Sequence, residues 1–290
     1  MASSYSIWTI TQCLLISFFL ILNMTGLRKA AAQTLSTDAH NGSLADATVA
    51  YPLSGMGTNI ANAGHMNSGL IRLHAVQPYR IKSIGYSVTQ FVLPVNTSTL
   101  LARVFVQSFS SFQEIHGELG MAHPFSLGSR RKAIVAISGT MKHVSLSNFG
   151  SAQNFSASFG ASFQLAYNLY LGVNAQNYIH FPGAISLERK LRTGIAYAPH
   201  SDFWIMLSFL QSPGYRSNLS IGLEASFTSW LKLRYGFSSF PAKNTLGAGI
   251  WYKNLFIDLY GERHFILGWT PGLSIGLAFM RRKDTTISVN

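Results

Sequence analysis

The chain has 290 residues, of which 48% are hydrophobic and only 11% charged, against about 25% charged in an average soluble domain. No stretch after residue 30 reaches the ~18 consecutive apolar residues of a membrane-spanning helix, which excludes a helical bundle in lipid. The formal charge of +12 suits an anionic partner in general, but outside Arg130-Arg131-Lys132 and Arg281-Arg282-Lys283 the basic residues are scattered. Both runs fall at predicted strand ends, so we read them as solvated or headgroup-facing charge and exclude nucleic acid as a partner.

In chain order, residues 1–32 read as a signal peptide. Leu14 to Met24 (LLISFFLILNM) is an apolar core of signal-peptide length, and Ala30-Ala31-Ala32-Gln33 supplies small residues for cleavage after Ala32. The first twelve residues carry no Lys or Arg, and Arg28 and Lys29 follow the apolar run instead, so a retained anchor is the rival reading. Cys13 is the only cysteine and precedes the apolar core, which argues against a lipoprotein site. The mature chain then has no thiol for a disulfide framework or a cysteine metal site.

Residues 33–68 do not alternate. Ser54 to Gly64 (SGMGTNIANAG) holds Gly55, Gly57, Asn59 and Asn62, residue types that permit turns and polar wall contacts. The segment forms either a plug within a barrel or a flexible periplasmic arm. His40-Asn41-Gly42-Ser43 reads as an Asn-Gly turn within it.

From residue 69 to 282 the chain reads as strands. Phe155, Ala157, Phe159, Ala161, Phe163 and Leu165 alternate with Asn154, Ser156, Ser158, Gly160, Ser162 and Gln164. Leu219, Ile221, Leu223, Ala225 and Phe227 alternate with Asn218, Ser220, Gly222, Glu224 and Ser226, and Leu231, Leu233, Tyr235 and Phe237 oppose Lys232, Arg234, Gly236 and Ser238. A period of two over this length is a strand signal. One face suits lipid and the other a crowded polar lumen. Repeating the reading predicts an all-β transmembrane antiparallel barrel of about 14 strands, with 12 also compatible. The predicted starts lie near 69, 82, 98, 113, 132, 153, 169, 187, 202, 217, 231, 245, 255 and 272. Residues 283–290 are a C-terminal tail.

Tight links at Ala166–Asn168, Pro199–Ser201, Thr228–Trp230 and Lys253–Asn254 alternate with longer ones at Leu146–Ala152, Phe181–Ser186, Ser212–Arg216, Phe240–Asn244 and Leu267–Pro271. Outer-membrane barrels have short periplasmic turns and longer outer loops, so this phase, read over the second half of the chain, puts both chain ends in the periplasm of a bacterial envelope; Phe112 and the Pro124–Arg131 link break the pattern in the first half. If Phe227 faces Leu231 across its link, Glu224 faces Arg234, and the two form a charge pair inside the lumen. Lys232, Asp258 and Glu262 are the other predicted lumen charges, with plain pairing favoured over acid–base chemistry. Trp230, Trp251, Tyr252 and Trp269, near strand ends, read as interfacial aromatics.

Little else carries chemistry. His143 and Ser145 share a strand face, as a His-activated Ser nucleophile requires, but that face is the one assigned to lipid. The nine histidines form no metal-ligand spacing, and no phosphate-binding loop is present, so neither a cofactor, a metal nor an enzymatic activity is expected.

Two stretches resemble a known family. Ser54-Gly55-Met56-Gly57 to Asn62-Ala63-Gly64 is similar to its Gly-rich N-terminal segment, and Phe155 to Tyr178 (FSASFGASFQLAYNLYLGVNAQNY) looks like one of its hairpins. The family is that of outer-membrane barrels related to FadL-type transporters, and the chain most resembles the shorter PorV/PorQ type of type IX secretion. The resemblance implies a barrel of about fourteen strands with an inserted N-terminal segment, in contact with outer-membrane lipid and with secretion-system or exported proteins. A FadL-like channel for hydrophobic or small solutes is the alternative, and a lipid-modifying enzyme a third reading. Asn62-Ala63-Gly64 departs from the family in lacking a proline, and no long outer insertion is present to form a lipid-capture groove.

Overall fold

The computed structural model describes residues 36–81, 83–127, 132–181, 183 and 187–281. The predicted signal peptide, Arg130 and Arg131, and the C-terminal tail lie outside the described residues. Fourteen strands are present: β1 Ser68–Val76, β2 Gly85–Val95, β3 Ser98–Phe109, β4 Phe112–Ser126, β5 Lys132–Leu146, β6 Gly150–Ala166, β7 Leu169–His180, β8 Lys190–His200, β9 Phe203–Gln211, β10 Asn218–Ser226, β11 Leu231–Ser239, β12 Ala242–Tyr252, β13 Leu255–His264 and β14 Gly268–Arg281. Each pairs antiparallel with its sequence neighbours, and β1 closes the sheet on β14, with Leu73 opposite Ile275. Among the described residues the count is therefore fourteen and not twelve.

Side chains alternate as the sequence predicts. On β10, Leu219 and Ile221 are exposed outside while Ser220 and Glu224 are buried inside. On β6, Phe155 and Phe159 point out and Ser156, Ser158 and Ser162 point in. Leu119, Val135, Ile137, Leu246 and Leu259 continue the outer apolar wall. This arrangement inverts that of a water-soluble protein and needs a bilayer around it. Closure leaves no strand edge, so every ladder is satisfied within lipid.

The first residue of β1 and the last of β14 are ladder partners, so both ends of the barrel lie at one rim. The links 96–97, 167–168, 201–202 and 253–254 turn tightly at that rim, and the longer links 77–84, 181–189 and 212–217 lie at the other. We assign the first rim to the periplasm by the usual rule of short inner turns, with the two-residue links 110–111 and 240–241 at the other rim as exceptions. The size alternation is weaker than predicted. The links expected at Leu146–Ala152, Phe240–Asn244 and Leu267–Pro271 shrink to 147–149, 240–241 and 265–267, because β6, β12 and β14 run on through residues that read as loop. Gly, Asn and Ser are acceptable strand residues where ladder neighbours hold them, which a loop-propensity reading does not see.

Residues 36–66 lie inside the barrel, not as a periplasmic arm: Leu44, Val49, Tyr51 and Met56 are fully buried. We refer to this segment as the hatch. His40 to Ser43 is not an Asn-Gly turn but part of a short helix, α1 (Ala39–Ser43). Asp38 caps it, accepting from the Asn41 backbone N–H at 2.7 Å, and an aspartate at that position is the usual N-cap signal. The Asn-rich element supplies internal ties. Asn59 Nδ2 donates to the Val49 carbonyl at 2.8 Å, and Asn62 Nδ2 donates to the Thr48 carbonyl and to Ser54 Oγ, both at 2.9 Å. Gly57 holds a φ of +35°, and Arg103 on β3 donates to its carbonyl at 3.1 Å. A hatch of this size cannot form a core alone; it packs on wall residues such as Val92, Ile134 and Phe256.

Candidate functional site

The lumen has two unlike halves. On the β10–β13 side the hatch is latched to a buried charge cluster. Glu224 lies opposite Arg234 in the β10–β11 ladder, and Arg234 Nε donates to Glu224 Oε2 at 2.7 Å. The guanidinium continues to Asp258 on β13, at 2.6 Å from Oδ1. Lys232 Nζ donates to Glu224 Oε1 at 3.0 Å. Two hatch groups reach the same carboxylate: His40 Nε2 lies 3.0 Å from Oε2, and Tyr51 Oη donates to Oε1 at 2.6 Å. Glu262 faces the lumen and pairs with Lys243 Nζ at 2.8 Å. A second latch joins Asp38 to Arg72 of β1 at 2.9 Å.

A buried carboxylate is tolerable only if its lone pairs are met. Glu224 meets them with groups from both wall and hatch, so hatch position and barrel electrostatics are coupled. Tyr51→Phe removes one hydrogen bond to a charge, a change of about 1.5–3 kcal/mol. We expect the hatch of this variant to be cleaved faster by added protease than that of the wild type, with the barrel itself still resistant. Equal cleavage rates would mean that the phenol does not hold the hatch.

The other half, on the β2–β8 side, is open. A cavity of about 390 Å³ lies between the hatch residues Asp46, Thr58 and Ile60 and the inward face of the wall. Glu188, in the long link 181–189, contributes to its lining, so it sits toward the outer rim. The wall charges are largely matched: Arg103 with Glu118 at 3.2 Å, Lys142 with Glu114 at 3.0 Å, and Lys190 with Glu188 at 3.1 Å. Amides and hydroxyls of Asn174, Gln176, Asn177 and Thr140 fill the spaces between them.

The predicted interfacial aromatics divide. Trp230, Tyr252 and Trp269 are exposed, at 52%, 68% and 46%. Trp251 corrects the expectation: it points inward, stacks on Phe256 at 4.9 Å and packs against the core between hatch and wall. Trp251 and Tyr252 are consecutive in a strand, so only one of them can face lipid. His143 and Ser145 lie on β5, and no hydrogen bond joins them among the described residues. Among the described residues no group of three or more His, Cys, Asp or Glu is placed to hold a metal ion. Residues that sequence reasoning missed are His40, Asp38, Arg72 and Arg192; only the Asp38 cap had a local signal.

The fold and the lumen together define a fourteen-stranded transmembrane barrel plugged by its own N-terminal segment. No family model matches the chain, and no curated protein matches it. Its fold is shared with FadL-type outer-membrane channels of known structure. The CymD monoaromatic hydrocarbon channel superimposes with a TM-score of 0.64 at 10% identity, over 87% of this chain and 100% of that one. A FadL homologue of Pseudomonas aeruginosa gives 0.60 at 13% identity, over 87% and 100%. The toluene transporter TbuX of Ralstonia pickettii gives 0.58 at 11%, over 80% and 93%. At these identities the likeness is one of fold.

Proposed function

We propose that this protein is a bacterial outer-membrane channel of FadL-like architecture, non-enzymatic, whose hatch gates the passage of small solutes. The observation that carries this reading is the cavity between hatch and wall, which lies toward the outer rim and ends on a hatch held to the far wall by a few polar latches. A solute entering from outside meets that chamber first, and release of the latches continues the path. The fold shared with solved hydrocarbon and toluene channels supports the same reading. The test is single-channel conductance of the refolded chain in a planar bilayer. Wild type should show a low, flickering conductance, and a variant lacking residues 36–66 a continuously open pore. A hatchless barrel that conducts no more than wild type would remove the channel reading.

Docking or shuttling of exported proteins, as in the PorV/PorQ type of type IX secretion, is the second reading. It is favoured by the depth to which the hatch fills the lumen, with Tyr51, Asn59 and Asn62 fully buried. On that reading, deleting the gene strips exported proteins from the cell surface and leaves solute uptake unchanged.

A further inference from the structure

Arg192 is the odd charge in the outer chamber. It sits on β8, is 8% exposed, and lines the cavity. Among the described residues no carboxylate lies within ion-pair distance of its guanidinium and no hydrogen bond engages it, whereas Arg103, Lys142 and Lys190 each have a carboxylate in contact; Asp46 and Glu188 attract Arg192 only across the chamber, without touching it. Directly across the ladder from it stands Asn174 of β7, 4% exposed and also lining the cavity, whose Oδ1 has no hydrogen-bond partner. An arginine stays charged and offers five donors in a planar fork that matches a carboxylate. Buried polar groups left unmet cost stability unless something supplies the missing partner. Turning the Asn174 amide would present its NH2 to the same ligand. Opposite, on the hatch, the Asp46 carboxyl group accepts from Ser36 Oγ at 3.1 Å and has oxygen lone pairs left to take a ligand hydroxyl.

We infer that the outer chamber is a binding site for small hydrophilic carboxylates bearing hydroxyl groups, with Arg192 and Asn174 taking the carboxylate and Asp46 a hydroxyl. The inference rests on the reading of the lumen as a solute passage and names the solute class for it. A cavity of about 390 Å³ falls in the usual range for small ligands, about 300–1,000 Å³, but most such pockets are predominantly apolar. This one is mixed, with apolar surface from Ile60, Val88, Phe105 and Leu187 balanced by a comparable share from charges and amides. Entry of an apolar solute would desolvate those polar groups without replacing their partners.

The test is calorimetric titration of the refolded full chain in detergent with D-gluconate, D-glucose and toluene, for wild type and Arg192→Gln. Gluconate should bind wild type at least about tenfold more tightly than glucose, and Arg192→Gln should lose about tenfold or more in gluconate affinity while keeping the heat-modifiable gel mobility of a folded barrel. Equal binding of gluconate and glucose, tighter binding of toluene, or unchanged gluconate binding by a folded Arg192→Gln would overturn the site. Should the variant not fold, the wild-type preference among the three solutes decides alone. Gluconate binding in a barrel that passes no solute in the conductance test would remove the channel and leave this site standing. Conductance without gluconate binding would do the reverse.

Discussion

Glu224→Ala should turn a closed barrel into an open one. The carboxylate is 1% exposed and touches Arg234, Lys232, His40 and Tyr51, two groups from the wall and two from the hatch. Its removal leaves Arg234 with Asp258 as its remaining carboxylate partner and strips the hatch of the polar contacts that His40 and Tyr51 make to Glu224. Breaking a buried charge pair from one side typically costs about 3–5 kcal/mol, because the surviving charge stays buried without its partner. The barrel has fourteen closed ladders to hold it, whereas the hatch is held by individual side-chain contacts to the wall, among them Thr245 to the Ser43 carbonyl and Gln90 to the Thr37 carbonyl, so the loss falls mainly on the hatch. Single-channel recording should show the mean conductance rise well above wild type, together with faster proteolysis of residues 36–66.

The same cluster makes a sharper expectation about charge reversal. For an isolated pair, Glu224→Arg combined with Arg234→Glu would restore what each single reversal loses. Here it should not. A carboxylate at position 234 would face Asp258, and a guanidinium at position 224 would face Lys232 and His40. The double reversal should be at least as unstable in urea as either single one, even though the register is Glu224 opposite Arg234. Full restoration would falsify the three-member arrangement and take Asp258 out of it.

The second large effect is steric. Gly172 on β7 and Gly236 on β11 face the hatch backbone so closely that a Cβ at either has no room: at Gly172 it would overlap the Val49 carbonyl, and at Gly236 the backbone of Leu44 and Ala45. Gly172→Val puts a good strand residue into the wall and a clash into the hatch seat. Overpacking of this kind costs about 1–3 kcal/mol where neighbours can shift, and the obstacle here is backbone. The barrel should still fold and show heat-modifiable mobility, with the hatch displaced, protease-sensitive and the conductance raised. Gly139→Val is the control, since a Cβ at Gly139 meets nothing within 4 Å. A hatch as protected in Gly172→Val as in Gly139→Val would show that it does not sit against β7.

Much of the wall was legible because a strand is a local object. Its period of two assigns each side chain to a face without knowledge of the rest of the chain, which is why the predicted starts fall close to those observed. The Glu224–Arg234 register was readable for a related reason: the link 227–230 is short, and a short link leaves few registers. Even the misplacement of Trp251 breaks a rule the sequence contained, since its neighbour Tyr252 took the outer face. The predicted long links failed where glycine and asparagine were read as loop, although pairing to neighbours kept them in strand.

The sequence by itself determined the barrel: alternation over fourteen segments, low charge, and no apolar helix leave few other ways to satisfy the backbone in lipid. Only the tertiary structure decided that residues 36–66 enter the lumen, that Asp258 and His40 join the Glu224 pair, and that Arg192 faces Asn174 across an open chamber. Those contacts join residues tens to hundreds of positions apart. Closure of the sheet sets their positions, and no local period encodes which distant side chain will stand opposite.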